Sequence, residues 1–280
     1  MRWPPYKHIF FDCDSTLTKV EGIDILAETA DKKWRIEILT NAAMNGDLDL
    51  EDVYGKRLQA IKPTRKQVQA IKQVYKRNLV EDAAEVIAIL HELGHMVYII
   101  SGGLAEPVIE FGLWLGVPRQ RIRAVGLSYD ALSGHWWQPD TTGEERYLYF
   151  EEGSLTVSDG KAEIVRELLG EQSGRSLLIG DGSSDLLASR AVDLFVGYGG
   201  VIEREKVLAN APIYLHSLSL APLLTLAAGP FVLKQLTTSP HQPLIHKIQQ
   251  LIEKGAITFN DERINTKFKQ AYQAVYSRPY

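Results

Sequence analysis

His8-Ile9-Phe10-Phe11-Asp12-Cys13-Asp14-Ser15-Thr16 is the stretch on which the reading of this chain turns. Its first half is apolar almost throughout, as a strand covered on both faces must be. Its second half carries two carboxylates at positions i and i+2. In an extended chain these project to one side while Cys13 turns to the other. Adjacent carboxylates repel one another unless a cation or a shared proton relieves them, and a hard divalent ion such as Mg²⁺ takes oxygen ligands of this kind. Taken alone, the segment equally describes an Asx-type turn with solvated acids.

Further apolar runs with the same character follow at Met96–Ser101, Ser176–Gly180 and Asp193–Val196. The first leads into Gly102-Gly103, and the second into Asp181-Gly182-Ser183-Ser184-Asp185. Helical periodicity fills Asp82–Leu93, Leu104–Leu115, Lys161–Gly170 and Ser184–Arg190. Strand–helix alternation predicts a Rossmann-like α/β core, a parallel sheet with helices on both faces. Ligands bind beyond the carboxyl ends of the strands in such sheets. That edge would collect Asp12 with Asp14, Ser101 with Gly102 and Gly103, Lys161 at a helix start, and Asp181 with Asp185. Hydroxyl, free backbone N–H and ammonium groups are donors for phosphate. Two carboxylate pairs beside them predict a Mg²⁺-dependent phosphoryl-transfer site.

Three parts depart from the alternation. Residues 23–81 read as helix after helix, with a boundary at Pro63-Thr64, and predict a small helical cap inserted over the carboxyl edge of the sheet. From Tyr129 to Glu152 the chain is rich in Tyr and Trp, including Trp136 and Trp137, which predicts a β-hairpin or flap with its turn near Asp140–Glu144. After the breaker-rich segment 237–243, helices are expected at Pro243–Glu253 and Asp261–Tyr276. The apolar spacing of Leu244, Ile248, Leu251 and Ile252 suits packing on the core or on another subunit. The expected organisation is therefore a core of residues 1–22 and 82–215, a cap of 23–81, and a C-terminal helical extension of 216–280.

Composition removes other classes. The chain has 280 residues, 45% hydrophobic and 24% charged, with a net charge of −4, unlike a disordered, collagenous or fibrous protein. No apolar run reaches the ~18–20 residues that span a bilayer. The opening MRWPPYKHIFFDCD meets two acids before any apolar leader develops, so neither signal peptide nor membrane anchor is expected. A single cysteine, Cys13, excludes an internal disulfide framework and makes a reducing, cytoplasmic setting the default. Residues 51–80 carry eight Lys/Arg against Glu51 and Asp52, a balance of +6 that leaves −10 for the rest. These charges are spread along helices without interleaved aromatics, so they read as a solvated face and not as a nucleic-acid surface. His91-Glu92-Leu93-Gly94-His95 matches the zinc-protease pattern, but Gly94 should end the helix before His95. Gly160-Lys161 lacks the upstream Gly and following Ser/Thr of a phosphate-binding loop.

The order DxDxT, Ser-Gly-Gly, Lys and Gly-Asp-Gly-x-x-Asp resembles the haloacid dehalogenase-like phosphatases, and within them the branch that acts on O-phosphoserine. The likeness extends through Glu21-Gly22-Ile23-Asp24, Ala43-Met44 with Gly46, Arg57-Leu58, Pro63 with Arg65-Lys66-Gln67-Val68, and Phe195 to Gly200. It covers roughly residues 7–215. The resemblance implies that Asp12 attacks phosphorus and carries an aspartyl-phosphate, and that Asp14 protonates the leaving seryl oxygen and then activates water. It implies Mg²⁺ held by Asp12, the Asp14 backbone carbonyl and Asp181, with Asp185 in support. Ser101, Lys161 and the N–H groups of Gly102 and Gly103 would hold the transferring phosphoryl group. In the cap, Glu21 would meet the substrate's ammonium and Arg57 its carboxylate, beside Met44, Leu50 and Ser184. Leu50 stands where the family often has Phe, and Ser184 where many members carry Asn or Thr. The implied reaction is hydrolysis of O-phospho-L-serine, the last step of serine biosynthesis. Another small phosphate ester as substrate, or an idle family member acting through residues 216–280, are the alternatives. The sequence leaves oligomeric state open.

Overall fold

Four consecutive buried residues make β1 (His8–Phe11) a strand that belongs in the middle of a sheet, and it lies there. In the computed structural model, which describes residues 3–30, 33–45, 47–133, 137 and 143–276, β1 is followed by four helices. These are α1 (Gly22–Thr29), α2 (Lys33–Asn45), α3 (Leu50–Ile61) and α4 (Arg65–Arg77). The run without strands therefore lies where the sequence placed it. Alternation then begins: α5 (Ala83–Glu92), β2 (Met96–Leu104), α6 (Ala105–Trp114) and β3 (Ile122–Val125). The aromatic segment forms the antiparallel pair β4 (Leu127–Asp130) and β5 (Arg146–Phe150). Trp136 and most of the expected turn at 140–144 lie outside the described residues; Trp137 is exposed.

The chain continues through α7 (Lys161–Leu169), β6 (Ser176–Gly180), α8 (Ser183–Ala188), β7 (Leu194–Tyr198), α9 (Glu205–Asn210) and β8 (Ile213–Leu215). Strands β1 to β3 and β6 to β8 form one parallel array in the order β3-β2-β1-β6-β7-β8. His8 registers with Met96 on one side and Ser176 on the other. The strand order reverses between β1 and β6, and at such a switch point the two connections leave on opposite faces and open a crevice. Asp12 and Asp181 follow the two strands that border it. Tyr98, Phe10, Phe11, Phe195 and Tyr198 are among the largest fully buried side chains of the core.

The described residues beyond 215 are mainly helical, as expected, with α10 (Leu223–Ala227), α11 (Pro230–Gln235), α12 (Gln242–Glu253) and α13 (Glu262–Tyr276). They also supply a strand that periodicity did not reveal, β9 (Ile257–Phe259), which pairs antiparallel with β8 and closes that edge of the sheet. Three residues are too few to show a period, so β9 is set by the partner it meets. Leu224, Leu226, Leu233, Leu244 and Ile245 join the main core. The extension also ties down the segment leading out of the four-helix block: Lys247 Nζ lies 2.5 Å from both Glu81 Oε1 and Asp82 Oδ2, and Leu220 N–H donates to the Glu81 carbonyl at 3.0 Å. Among the described residues, no helix is long and apolar enough to cross a membrane.

Candidate active site

Beyond β1 the chain turns sharply around the Cys13 carbonyl, which accepts from the N–H groups of Thr16, Leu17 and Thr18. Cys13 itself is fully buried on the core side, so Asp12 and Asp14 are delivered to the opposite side, as i, i+2 spacing requires. Beyond β6, Asp181 follows directly, and Asp185 sits in the first turn of α8 with Oδ2 accepting from Gly182 N–H at 3.1 Å. Gly180 must be glycine here: a Cβ would lie 2.2 Å from the Asp185 carboxyl carbon.

Carboxylate oxygens of Asp12, Asp181 and Asp185 all lie within 4.8 Å of one another, and all three residues are buried. Lys161 Nζ bridges Asp12 Oδ1 at 2.6 Å and Asp185 Oδ1 at 2.7 Å. Those carboxylates hold its ammonium above the ordinary range against burial, which acts the other way. Arg204 Nε meets Asp181 Oδ2 at 3.0 Å. Burial still dominates the acids. It pushes Asp12 well above the usual carboxylate range, with Asp185 adding and Lys161 opposing. It pushes Asp181 up to about 7, against Arg204. Three buried carboxylates converging on one point are a donor set suited to a hard divalent ion.

The side chain of Asp14 is not part of that group. Its Oδ1 accepts from Tyr75 of α4 at 2.5 Å, and burial with the Glu21 charge raises it well above the ordinary value. The sequence reading assigned Asp14 to the metal only through its backbone carbonyl, to which this side-chain position is indifferent. Ser101, at the end of the apolar part of β2, accepts from Gly103 N–H at 2.9 Å. Tyr54 of α3 donates to the Gly102 carbonyl at 2.8 Å, fixing the Ser-Gly-Gly loop from the cap side.

One cavity is lined by Asp12, Asp14, Ser101, Gly102, Gly103 and Lys161 together with Glu21, Leu50, Tyr54, Arg57 and Ser184. These residues of core and cap therefore share one space, which Asp181 and Asp185 do not line. Glu21 and Arg57 are both buried. Ser15 donates to Glu21 Oε1 at 2.8 Å, and Arg57 Nη1 donates to Thr40 Oγ1 at 3.0 Å while its Nε has no partner among the described residues. The side chain of Met44, and Gly46, lie outside the described residues. Ser183 donates to the Ala43 carbonyl at 3.2 Å and so links α8 to α2.

Sequence reasoning missed Arg204 and Tyr75. Arg204 lies in a charged run, Glu203-Arg204-Glu205-Lys206, that reads as surface, yet it is buried and also reaches Asn45 at 3.2 Å. Tyr75 shares a helical stripe with Val68 and Ile71, a pattern that reads as core alone. The discounted zinc motif is broken as expected: α5 ends at Glu92, Gly94 takes φ +81°, and His95 turns to the Tyr6 carbonyl.

The family profile of haloacid dehalogenase-like hydrolases matches residues 6–193. Phosphoserine phosphatase of Mus musculus is 32% identical over 209 residues, 74% of this chain and 88% of that one. Phosphoserine phosphatase of Drosophila melanogaster is 33% identical over 210 residues, 74% of this chain and 73% of that one. A solved structure described as a phospho-aspartyl intermediate analogue of phosphoserine phosphatase superposes with a TM-score of 0.67 at 24% identity, covering 79% of this chain and 98% of that chain.

Proposed function

The chain belongs to the haloacid dehalogenase-like hydrolases and is a phosphatase, and on that footing we propose that it hydrolyses O-phospho-L-serine to serine and phosphate with Mg²⁺. The observation that carries the substrate is the pairing of buried Glu21 and Arg57 in the cavity that holds the phosphate donors. A zwitterionic amino acid needs a carboxylate for its ammonium and a guanidinium for its carboxylate, and Arg offers the second as a planar fork. The relatives reported above carry the same substrate in their names.

Asp12 is the nucleophile of this reading. Its carboxylate oxygen bonds to phosphorus as the seryl oxygen leaves, and Asp14 supplies the proton that the leaving oxygen takes up. In the second half, water attacks phosphorus, Asp14 receives its proton, and the bond from phosphorus to Asp12 breaks. Ser101, the Gly102 and Gly103 N–H groups and Lys161 hold the transferring phosphoryl oxygens and offset their charge. Asp12, the Asp14 backbone carbonyl and Asp181 would hold Mg²⁺ with Asp185 behind them, and the ion would supply charge neutralisation and orientation. The single buried Cys13 fits a reducing compartment such as the cytoplasm.

Phosphate release from O-phospho-L-serine should appear with Mg²⁺, vanish with chelator, and fall by at least about a thousandfold in Asp12→Asn. Glu21→Ala and Arg57→Ala should raise KM for O-phosphoserine far more than for p-nitrophenyl phosphate. Intact O-phosphoserine turnover in those two variants would assign the cavity to another phosphate ester. No turnover of any ester on a broad panel would leave a catalytically idle protein.

A further inference from the structure

Among the described residues, Tyr75 is the one cap side chain that touches the carboxylate of Asp14 by hydrogen bond, and nothing in the phosphoryl-transfer scheme above uses it. It is fully buried near the end of α4, its ring edge-on to Phe111 at 5.5 Å. Its hydroxyl donates to Asp14 Oδ1 at 2.5 Å. The approach is built in from the other side as well: a Cβ at Gly22 would fall 2.4 Å from that hydroxyl. The second oxygen of Asp14 has a different outlook. Oδ2 faces the Ser-Gly-Gly loop, where a Cβ on Gly103 would come within 2.7 Å of it and 3.0 Å of Ser101 Oγ.

We propose that Tyr75 is a positioning residue for Asp14: by occupying Oδ1 with its hydroxyl hydrogen, it makes Oδ2 the oxygen that carries and exchanges the catalytic proton toward the Ser101–Gly103 loop. A carboxyl group that donates from either oxygen spends part of its time with the proton aimed away from the leaving group. A donor fixed on one oxygen biases that choice: a proton on Oδ1 would turn the tyrosine oxygen into the acceptor and leave its own buried hydrogen without an acceptor among the described residues. In the first half-reaction the O–H bond at Oδ2 breaks as the seryl oxygen takes the proton and its bond to phosphorus breaks. In the second, Oδ2 takes a proton from the water whose oxygen bonds to phosphorus.

The inference rests on Asp14 serving as acid and base, and its test separates the two. Tyr75→Phe keeps the ring and its packing but removes the donor. The expected result is a fall of about tenfold to a hundredfold in kcat with O-phosphoserine, whose leaving oxygen needs a proton. With p-nitrophenyl phosphate, whose leaving group departs as a stable anion, the pre-steady-state burst of nitrophenolate should stay within about twofold of wild type. Gly22→Ala, which displaces the hydroxyl without deleting it, should reproduce the same split if Tyr75→Phe folds poorly. An equal loss with both substrates, or no loss with either, overturns the assignment of Tyr75. If Asp14→Asn itself retained O-phosphoserine turnover, the functional reading would fail and Tyr75 with it. An inactive Asp14→Asn beside an unaffected Tyr75→Phe would sink Tyr75 alone.

Discussion

Asp181 illustrates what a buried acid contributes before any ion arrives. Its carboxyl is raised from 3.8 to about 7 by burial, with Arg204 opposing. Between those values the folded chain binds a proton that the unfolded chain has already lost. The stability this represents is complete below the unfolded value and is lost as pH rises through about 7, because ∂ΔG/∂pH is negative where the native state binds more protons. Above that point the ionised acid needs a cation. Thermal unfolding with and without Mg²⁺ should therefore show a larger rise in Tm at pH 8 than at pH 5.5, since protons compete for the same oxygens at the lower pH. Equal shifts at both values would show that these carboxylates do not hold the ion. The pair Asp12/Asp14 and the pair Asp181/Asp185 were legible in the sequence because strand and turn chemistry is local. Arg204 was not: its burial is decided by residues that meet it only after the sheet has formed, and nothing adjacent in the sequence records that.

At the scale of the element, α4 shows how local signals place a functional side chain. Its start is fixed by Thr64, which accepts from the Gln67 N–H at 3.3 Å while Gln67 Oε1 accepts from the Thr64 N–H at 2.8 Å, a reciprocal cap. Pro63-Thr64 marked this boundary in the sequence, and Val68, Ile71 and Tyr75 are the buried stripe. Thr64→Ala should cost about 1 kcal/mol, a fall in Tm of about 2–4 °C for a chain of this size, read by calorimetry. No change would mean that packing on α6 alone sets the helix. The same stripe explains why Tyr75 was unreadable as anything but core. Periodicity reports which face is buried, and it is silent on what a hydroxyl at that face meets. Strand β9 was hidden for the opposite reason, being too short to carry a period of its own.

For the whole molecule, the parallel sheet was implied by strand–helix alternation and the helical block by its interruption, the strand order emerged only in the structure, and the extension was expected as helices. Packing on the core, one of the two settings its apolar spacing suited, is what the structure shows for Leu244 and Ile248, whereas the strand it adds was not expected. β9 caps β8, and Leu224, Leu233 and Ile245 lie in the common core. A chain ending at residue 215 would expose the edge of β8 and the apolar surface that these side chains cover. An unpaired apolar edge is a template for association, so this truncation should appear in the insoluble fraction or as large aggregates by size-exclusion chromatography. A soluble, monomeric, active 1–215 fragment would show the extension to be dispensable.

The central place of β1 has a consequence in time as well as in space. It is the first strand to leave the ribosome, yet one of its two neighbours, β6, lies roughly 170 residues downstream. At ~5–20 residues per second that is a wait of about 10–30 s. During it, Ile9, Phe10 and Phe11 have only β2 to pair with, and the Asp12–Asp14 segment has no opposing acids. The aspartates therefore converge late in translation, so a nascent chain stalled before residue 176 would hold α1 to α4 and still lack the cluster that Asp12 forms with Asp181 and Asp185.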